Sequence, residues 1–339
     1  MSDKNQRQAT LVHAMTVAML VTGVSIAGPA GAETTWSLFT PFSTNDKPTQ
    51  IYRAFADDVA EATDGDLVID VYSSGELPYK NTDVLKALAT NQVQIADLAL
   101  GPVAGDVPEL TVFGLPFLCT STDGFYKAID AAMPTFNERL QSKFKVHALA
   151  GWTMPPQQIW LRDSVSEIGE LEGKKIRTWN KMQVEMLDLL GASGVAITPA
   201  EVIPALQRGV VDGAITAVIP AYDWKFYEVV DAGYMLNFTM TDQLIAVNDG
   251  AFDSLLPETQ QALVETAEAW QVKFKDAIDV AAGKAAENLE AEGMTLIAPT
   301  EADFATAREA TKPLWQDWAD ANGEVGAKLL QDVRAACSG

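Results

Sequence analysis

From Pro257 to about Glu292 the sequence keeps one helical pattern, with proline near its start, Gly293 just past its end and Gly283 as the one candidate break. At 1.5 Å per residue, roughly 36 residues span about 54 Å, more than the width of one lobe. A rod of that length serves better as a spine shared by two lobes than as part of a single core. Chain length agrees: Glu33–Gly339 alone is 307 residues, more than one hydrophobic core usually organises.

The first 32 residues read as a secretory signal. Lys4 and Arg7 supply a positive start, Leu11 to Gly28 is mostly apolar, and Ala30-Gly31-Ala32 offers small residues before Glu33. No later segment approaches about 20 apolar residues, so the mature chain is expected in the periplasm and not embedded in the membrane. Net charge is −22, and loss of Asp3, Lys4 and Arg7 takes it to −23. Such a field repels phosphate backbones and excludes nucleic acid as a partner class. Two cysteines remain, Cys119 and Cys337. In an oxidising compartment they can pair and tie the tail to the first lobe, or stay as two thiols; spacing alone leaves both open.

Ahead of the spine the pattern alternates. Strands are expected at Thr35–Thr40, Leu67–Tyr72 and Val93–Leu98, with helices over Gln50–Thr63 and Thr82–Thr90 between them, the order of a mainly parallel sheet with covering helices. A helix over Thr122–Lys143 and a strand over Lys145–Trp152 follow. The alternation then restarts, with strands at Ile159–Arg162, Lys175–Thr178, Val195–Ile197 and Gly213–Ala217, and helices over Met182–Leu190, Pro199–Arg208 and Ala221–Val230. Near Gln243–Val247 the chain returns to the first lobe. The expected division is 33–154 plus 242–282 for lobe I, and 155–241 plus 283–339 for lobe II and the C-terminal helices.

Catalytic machinery is not visible. His147 is the one histidine beyond the leader, so there is no HExxH helix; the two distant cysteines make no zinc cluster, and no GxSxG elbow or Gly-rich phosphate loop occurs. Binding machinery is better represented. Gly173-Lys174-Lys175-Ile176-Arg177 puts a guanidinium at the end of a short strand, and Ala205-Leu206-Gln207-Arg208-Gly209-Val210-Val211-Asp212-Gly213 follows some thirty residues on. An arginine held there is suited to bidentate capture of a carboxylate, or else to a surface or inter-lobe salt bridge. Phe42, Trp152, Trp179 and Trp224 fall at strand ends or in loops, which suits a cleft with flat apolar walls.

These segments, GKKIRTWN, LLGASGVAITPAEVIPALQRGVVDGAITAV and KFYEVVDAG, resemble the extracytoplasmic solute-binding subunits of tripartite ATP-independent periplasmic (TRAP) transporters. YSSGEL, QIADLAL, LPFL and the helix after LPETQQ extend the likeness over essentially the whole mature chain. The resemblance implies an α/β, two-lobed periplasmic binding protein of type II-like architecture, with a long helix spanning both lobes and no enzymatic activity. It implies Arg177 as the carboxylate anchor, with Thr216 where the family commonly has an assisting asparagine. Trp179 stands where proline is common after the arginine. Pro156 occupies the place of a second arginine found in sialic-acid binders, which argues against that ligand. Trp152, Trp179, Phe42, Gln157, Pro199 and Trp224 complete the expected lining. The ligand implied is a small organic acid with one carboxylate and an apolar or aromatic body; a C4-dicarboxylate held also by Ser73, Ser74 or Lys80, or a ligand-sensing role, is the alternative. Membrane permease subunits are the implied partners, and neither cofactor nor metal is expected.

Overall fold

The computed structural model describes residues 33–337, with the side chains of Pro199 and Ala200 outside that description; the expected signal, residues 1–32, lies outside it too. In chain order the elements are β1 (Thr34–Phe39), α1 (Lys47–Ala62), β2 (Leu67–Tyr72), α2 (Val84–Ala89), β3 (Ile95–Ala99), α3 (Thr122–Phe144), β4 (Val146–Thr153), β5 (Gln157–Leu161), β6 (Lys175–Thr178), α4 (Lys181–Leu189) and β7 (Ser193–Ala196). There follow α5 (Pro199–Gln207), β8 (Gly213–Ala217), α6 (Val218–Asp223), β9 (Ala232–Tyr234), β10 (Asp242–Asn248), α7 (Asp249–Asp253), α8 (Pro257–Ala291), β11 (Thr295–Ile297), α9 (Glu301–Ala321) and α10 (Gly323–Cys337).

Two sheets result, ordered β2-β1-β3-β10-β4 and β11-β9-β5-β8-β6-β7. Each is mainly parallel, as the sequence pattern has it, with one strand reversed: β10 in the first and β5 in the second. In the first, β1 runs parallel to β2 and β3, but β10 is antiparallel to both β3 and β4. The reason is connectivity: β10 comes back from the second sheet and so enters from the opposite end. In the second, β5 is likewise antiparallel to β8 and β9, while β6 is parallel to β7 and β8.

The spine is continuous. Gly283 does not break α8, which runs 35 residues from Pro257 at its first turn. Its buried face carries Leu263, Ala267, Trp270, Phe274 and Ile278, and further on Ala285 and Leu289. One apolar cluster joins these to Tyr52 and Phe55 of α1, to Trp152 of β4, and to Trp160, Val218 and Ile219 of the second lobe. Burying one stripe against both sheets is what a shared spine requires.

The sequence expectation of one helix over Ala221–Val230 fails at Lys225, whose φ of 56° is left-handed and ends α6; a non-glycine residue there interrupts helical hydrogen bonding. The C-terminal helices divide between the lobes rather than grouping with the second. Ala307 and Leu314 of α9 join the second lobe's core, whereas Trp315, Trp318 and Ala319 of the same helix join the first, with Leu329 and Val333 of α10. Cys119 and Cys337 form a disulfide, Cα atoms 5.4 Å apart, which fastens α10 beside α3. Closing a loop of 218 residues removes unfolded-state entropy worth about 5 kcal/mol in the chain-entropy model. No helix among the described residues is long and apolar enough to cross a membrane.

Candidate functional site

Ligands of open α/β sheets collect at the carboxyl ends of parallel strands, and that is where the largest concentration of unusual side chains lies. The strand ends of β6 and β8 face those of β1 and β3 across a cavity of about 580 Å³. Lys175–Thr178 forms β6 between β7 and β8, with Arg177 level with Val195 and Ala214. Asn180 then caps α4, its Oδ1 accepting from the backbone N–H of Gln183 at 2.9 Å. The short strand and immediate cap fix where the arginine stem begins.

The head is fixed by two carbonyls. Arg177 Nε donates to Ile197 O at 2.8 Å and Nη1 to Ile215 O at 3.1 Å. Five N–H groups make up a guanidinium fork, so donors remain for another acceptor. The residue is 2 % exposed and lines the cavity. Among the described residues no carboxylate pairs with it, and burial alone pushes its pKa down to about 10. It therefore stays charged at neutral pH, in a place where charge is costly.

The same cavity is lined by Phe42, Gln157, Trp179, Thr216 and Trp224. Gln157 is a polar hub. Its Oε1 accepts from Gln183 Nε2 at 2.8 Å and from Trp179 Nε1 at 3.3 Å, and its Nε2 donates to Thr241 Oγ1 at 2.5 Å. The Trp179 ring packs over Gly101 of the first lobe, where an added Cβ would stand 2.7 Å from it. Pro199 begins α5, and its side chain lies outside the described residues.

Trp152 is not a cavity wall. It lies on the right face of β4 but one rung too deep: Met154, two residues on, takes the cavity position, and Phe42 covers the indole with ring centroids 6.0 Å apart. Trp152 is fully buried, stacked on Phe274 at 4.8 Å, with its Nε1 donating to Tyr52 Oη at 2.8 Å. The side chains proposed for a second carboxylate are also elsewhere. Ser74 and Lys80 line a neighbouring cavity that shares Pro41, Asn81 and Trp179 with the first. Ser73 is buried, its hydroxyl donating to Glu76 Oε2 at 2.7 Å.

Sequence reasoning missed three buried polar groups near the cavity. Gln243 of β10 lines it, is 1 % exposed, and has an Oε1 without a hydrogen-bond partner among the described residues. Asp97 sits one rung below Ala99 of the floor, its Oδ2 accepting from Thr40 Oγ1 at 2.9 Å, and burial pushes its pKa up to about 7. Asp242 lines a smaller cavity beyond Trp179, with Oδ2 unpartnered and its pKa likewise pushed by burial to about 7. The signal available was an acid or amide inside an uninterrupted apolar strand.

Comparison with known proteins agrees with this arrangement. Residues 42–322 match the model of the bacterial extracellular solute-binding protein family 7. A solute-binding protein of Chromohalobacter salexigens is 26 % identical over 273 residues, 79 % of this chain and 80 % of its own. The sialic acid-binding periplasmic protein of Vibrio cholerae is 23 % identical over 96 % of this chain and 99 % of its own. An extracytoplasmic solute receptor of Bordetella pertussis that binds pyroglutamic acid superposes with a TM-score of 0.82 at 27 % identity, covering 89 % of this chain and all of its own. The protein thus belongs to the bacterial extracellular solute-binding protein family 7 and is a periplasmic solute-binding protein of the TRAP type.

Proposed function

We propose that this protein captures a small organic monocarboxylate by pairing it with Arg177 and delivers it to the permease subunits of a TRAP transporter. The observation that carries the reading is a guanidinium 2 % exposed, without an acidic partner among the described residues, with donors left over and a cavity in front of it. A ligand carboxylate would supply the missing charge and acceptors at once, which a neutral solute cannot do. Thr216, also in the lining, can add one hydroxyl donor. Phe42, Trp179 and Trp224 would enclose the body of the ligand. Lobes meeting at residues 154–155 and 241–242 would close because the ligand binds both, so that binding selects the closed form. We assign no catalytic step to the site.

A single carboxylate is favoured over two because Ser74 and Lys80 line the neighbouring cavity and not that of Arg177. The Bordetella pertussis receptor binds pyroglutamic acid, a cyclic monocarboxylate, so pyroglutamate heads the panel to test. Thermal-shift and calorimetric titration of wild type and Arg177→Ala against pyroglutamate, uronates and C4-dicarboxylates decides the matter. Wild type should gain melting temperature with a monocarboxylate by mass action, and Arg177→Ala should lose about 100-fold or more in affinity. Unaltered affinity in Arg177→Ala would remove the anchor.

A further inference from the structure

The arginine accounts for one end of the cavity; the rest of the lining is rich in acceptors. Asp46, in the turn ahead of α1, and Asp223, the last residue of α6, both line it. Asp46 Oδ2 accepts only a local bond, from the Ser43 N–H at 2.8 Å. The Asp223 carboxyl is raised from its ordinary value, first by the walls around it and then by the charge of Asp46 across the cleft. Carboxylates from the two lobes thus line one cavity. Lys47 lines the same mouth and, like Asp223, is exposed. A third acceptor, Gln243 Oε1, is buried in the lining without a partner. Phe42 and Trp224 also line this cavity.

Resting on the reading of Arg177 as carboxylate anchor, we propose that the acid bound here carries a protonated nitrogen at its far end, received by Asp46 and Asp223 between the rings of Phe42 and Trp224. A cation there relieves the repulsion between the two carboxylates and gains from the aromatic faces. A second carboxylate at that end would meet two like charges. The two groups of the ligand stand several bonds apart, because the six residues of α6 carry the chain up to about 9 Å from the end of β8. An acid with an ω-amino group has that form, and a plain α-amino acid is too short.

Three probes of matched length separate the possibilities: hexanoate, 6-aminohexanoate and adipate, titrated calorimetrically into the mature protein near neutral pH at physiological salt. The amino acid should bind about tenfold tighter than hexanoate, with adipate the weakest. In Asp223→Asn the preference for the amino acid over hexanoate should shrink towards parity. Adipate binding as well as 6-aminohexanoate, equal binding of the amino acid and hexanoate by wild type, or no binding of the amino acid at millimolar concentration would each overturn the proposal. Arg177→Ala keeps the two readings apart. Loss of every probe there supports the anchor; retention of 6-aminohexanoate in Arg177→Ala would indict the anchor reading and not the acidic end.

Discussion

The two lobes bury charge in opposite ways. The first hides carboxyls, Asp97 in β3 and Asp242 in β10, each with an oxygen unpartnered among the described residues; the second hides the guanidinium of Arg177, and its buried carboxyl, Asp303, has both oxygens hydrogen-bonded. Burial acts on Asp97, Asp242 and Arg177, but with different consequences. A carboxyl pushed to about 7 can take up a proton and shed its charge within the physiological range. A guanidinium pushed only to about 10 cannot shed its own. The first lobe can therefore settle its electrostatic difficulty internally, whereas the second needs an anion from outside. An ammonium in the same place would escape more easily, since buried lysines readily become neutral.

The sharpest way to break this contrast is Arg177→Met, which keeps the length of the side chain and removes the charge. Burial that pushes the guanidinium pKa down to about 10 corresponds to an unfavourable cost on the order of 3 kcal/mol. Deleting it also loses the bonds to Ile197 and Ile215, so ligand-free stability should change little or rise slightly. The melting-temperature gain with a monocarboxylate should vanish. Ligand-free Arg177→Met unfolding many degrees below wild type would mean that Arg177 is a structural strut, and the asymmetry between the lobes would dissolve.

On the other side, Asp97→Asn sharpens the comparison through pH. The native state binds the Asp97 proton up to about pH 7, the unfolded chain only up to about pH 4. Between those values the native state holds more protons, so this group's contribution to stability declines as pH rises across the window and is flat above it. Asn carries no charge to desolvate and keeps an acceptor for Thr40. Asp97→Asn should therefore gain a few degrees in Tm over wild type near pH 8, on the order of 2 kcal/mol, and little near pH 5. A gap between the two proteins of the same size at both pH values would show that desolvated charge is not what Asp97 contributes.

Much of this frame was legible because its signals are local. The spine announced itself through Pro257 and Gly293, and the strand of Arg177 through its lysine-flanked entry. What escaped needed knowledge of depth. Trp152 lies in β4 and Met154 just past its end, and periodicity cannot say which of the two opens on the cavity. Asp97 reads as one more polar residue in QIADLAL until both faces of β3 are seen to be covered. Strands β9 and β11, three residues each, are too short to carry an alternating pattern. The mixed sheets follow from where the chain re-enters, a long-range fact that no window of sequence contains.

The smallest expected effect tests how closely the two lobes meet. Gly101 follows β3 in the first lobe, and a Cβ built on it would lie 2.7 Å from two carbons of the Trp179 ring. That ring cannot easily yield, because its Nε1 donates to Gln157 Oε1 at 3.3 Å and its own backbone N–H to Gln183 Oε1 at 3.2 Å. In Gly101→Ala the lobes must therefore stand slightly apart, and the carboxylate donors of the second would present themselves less closely to the walls of the first. Affinity should fall about tenfold, mostly through faster dissociation, while ligand-free stability is nearly unchanged. Trimming the ring should undo the harm: Gly101→Ala combined with Trp179→Phe ought to bind more tightly than Gly101→Ala alone, a coupling that independent sites would not show. Additive losses in that cycle would mean that Trp179 and Gly101 are neighbours only by proximity, and that the meeting of carboxyl-rich and arginine-bearing lobes is governed elsewhere along the cleft.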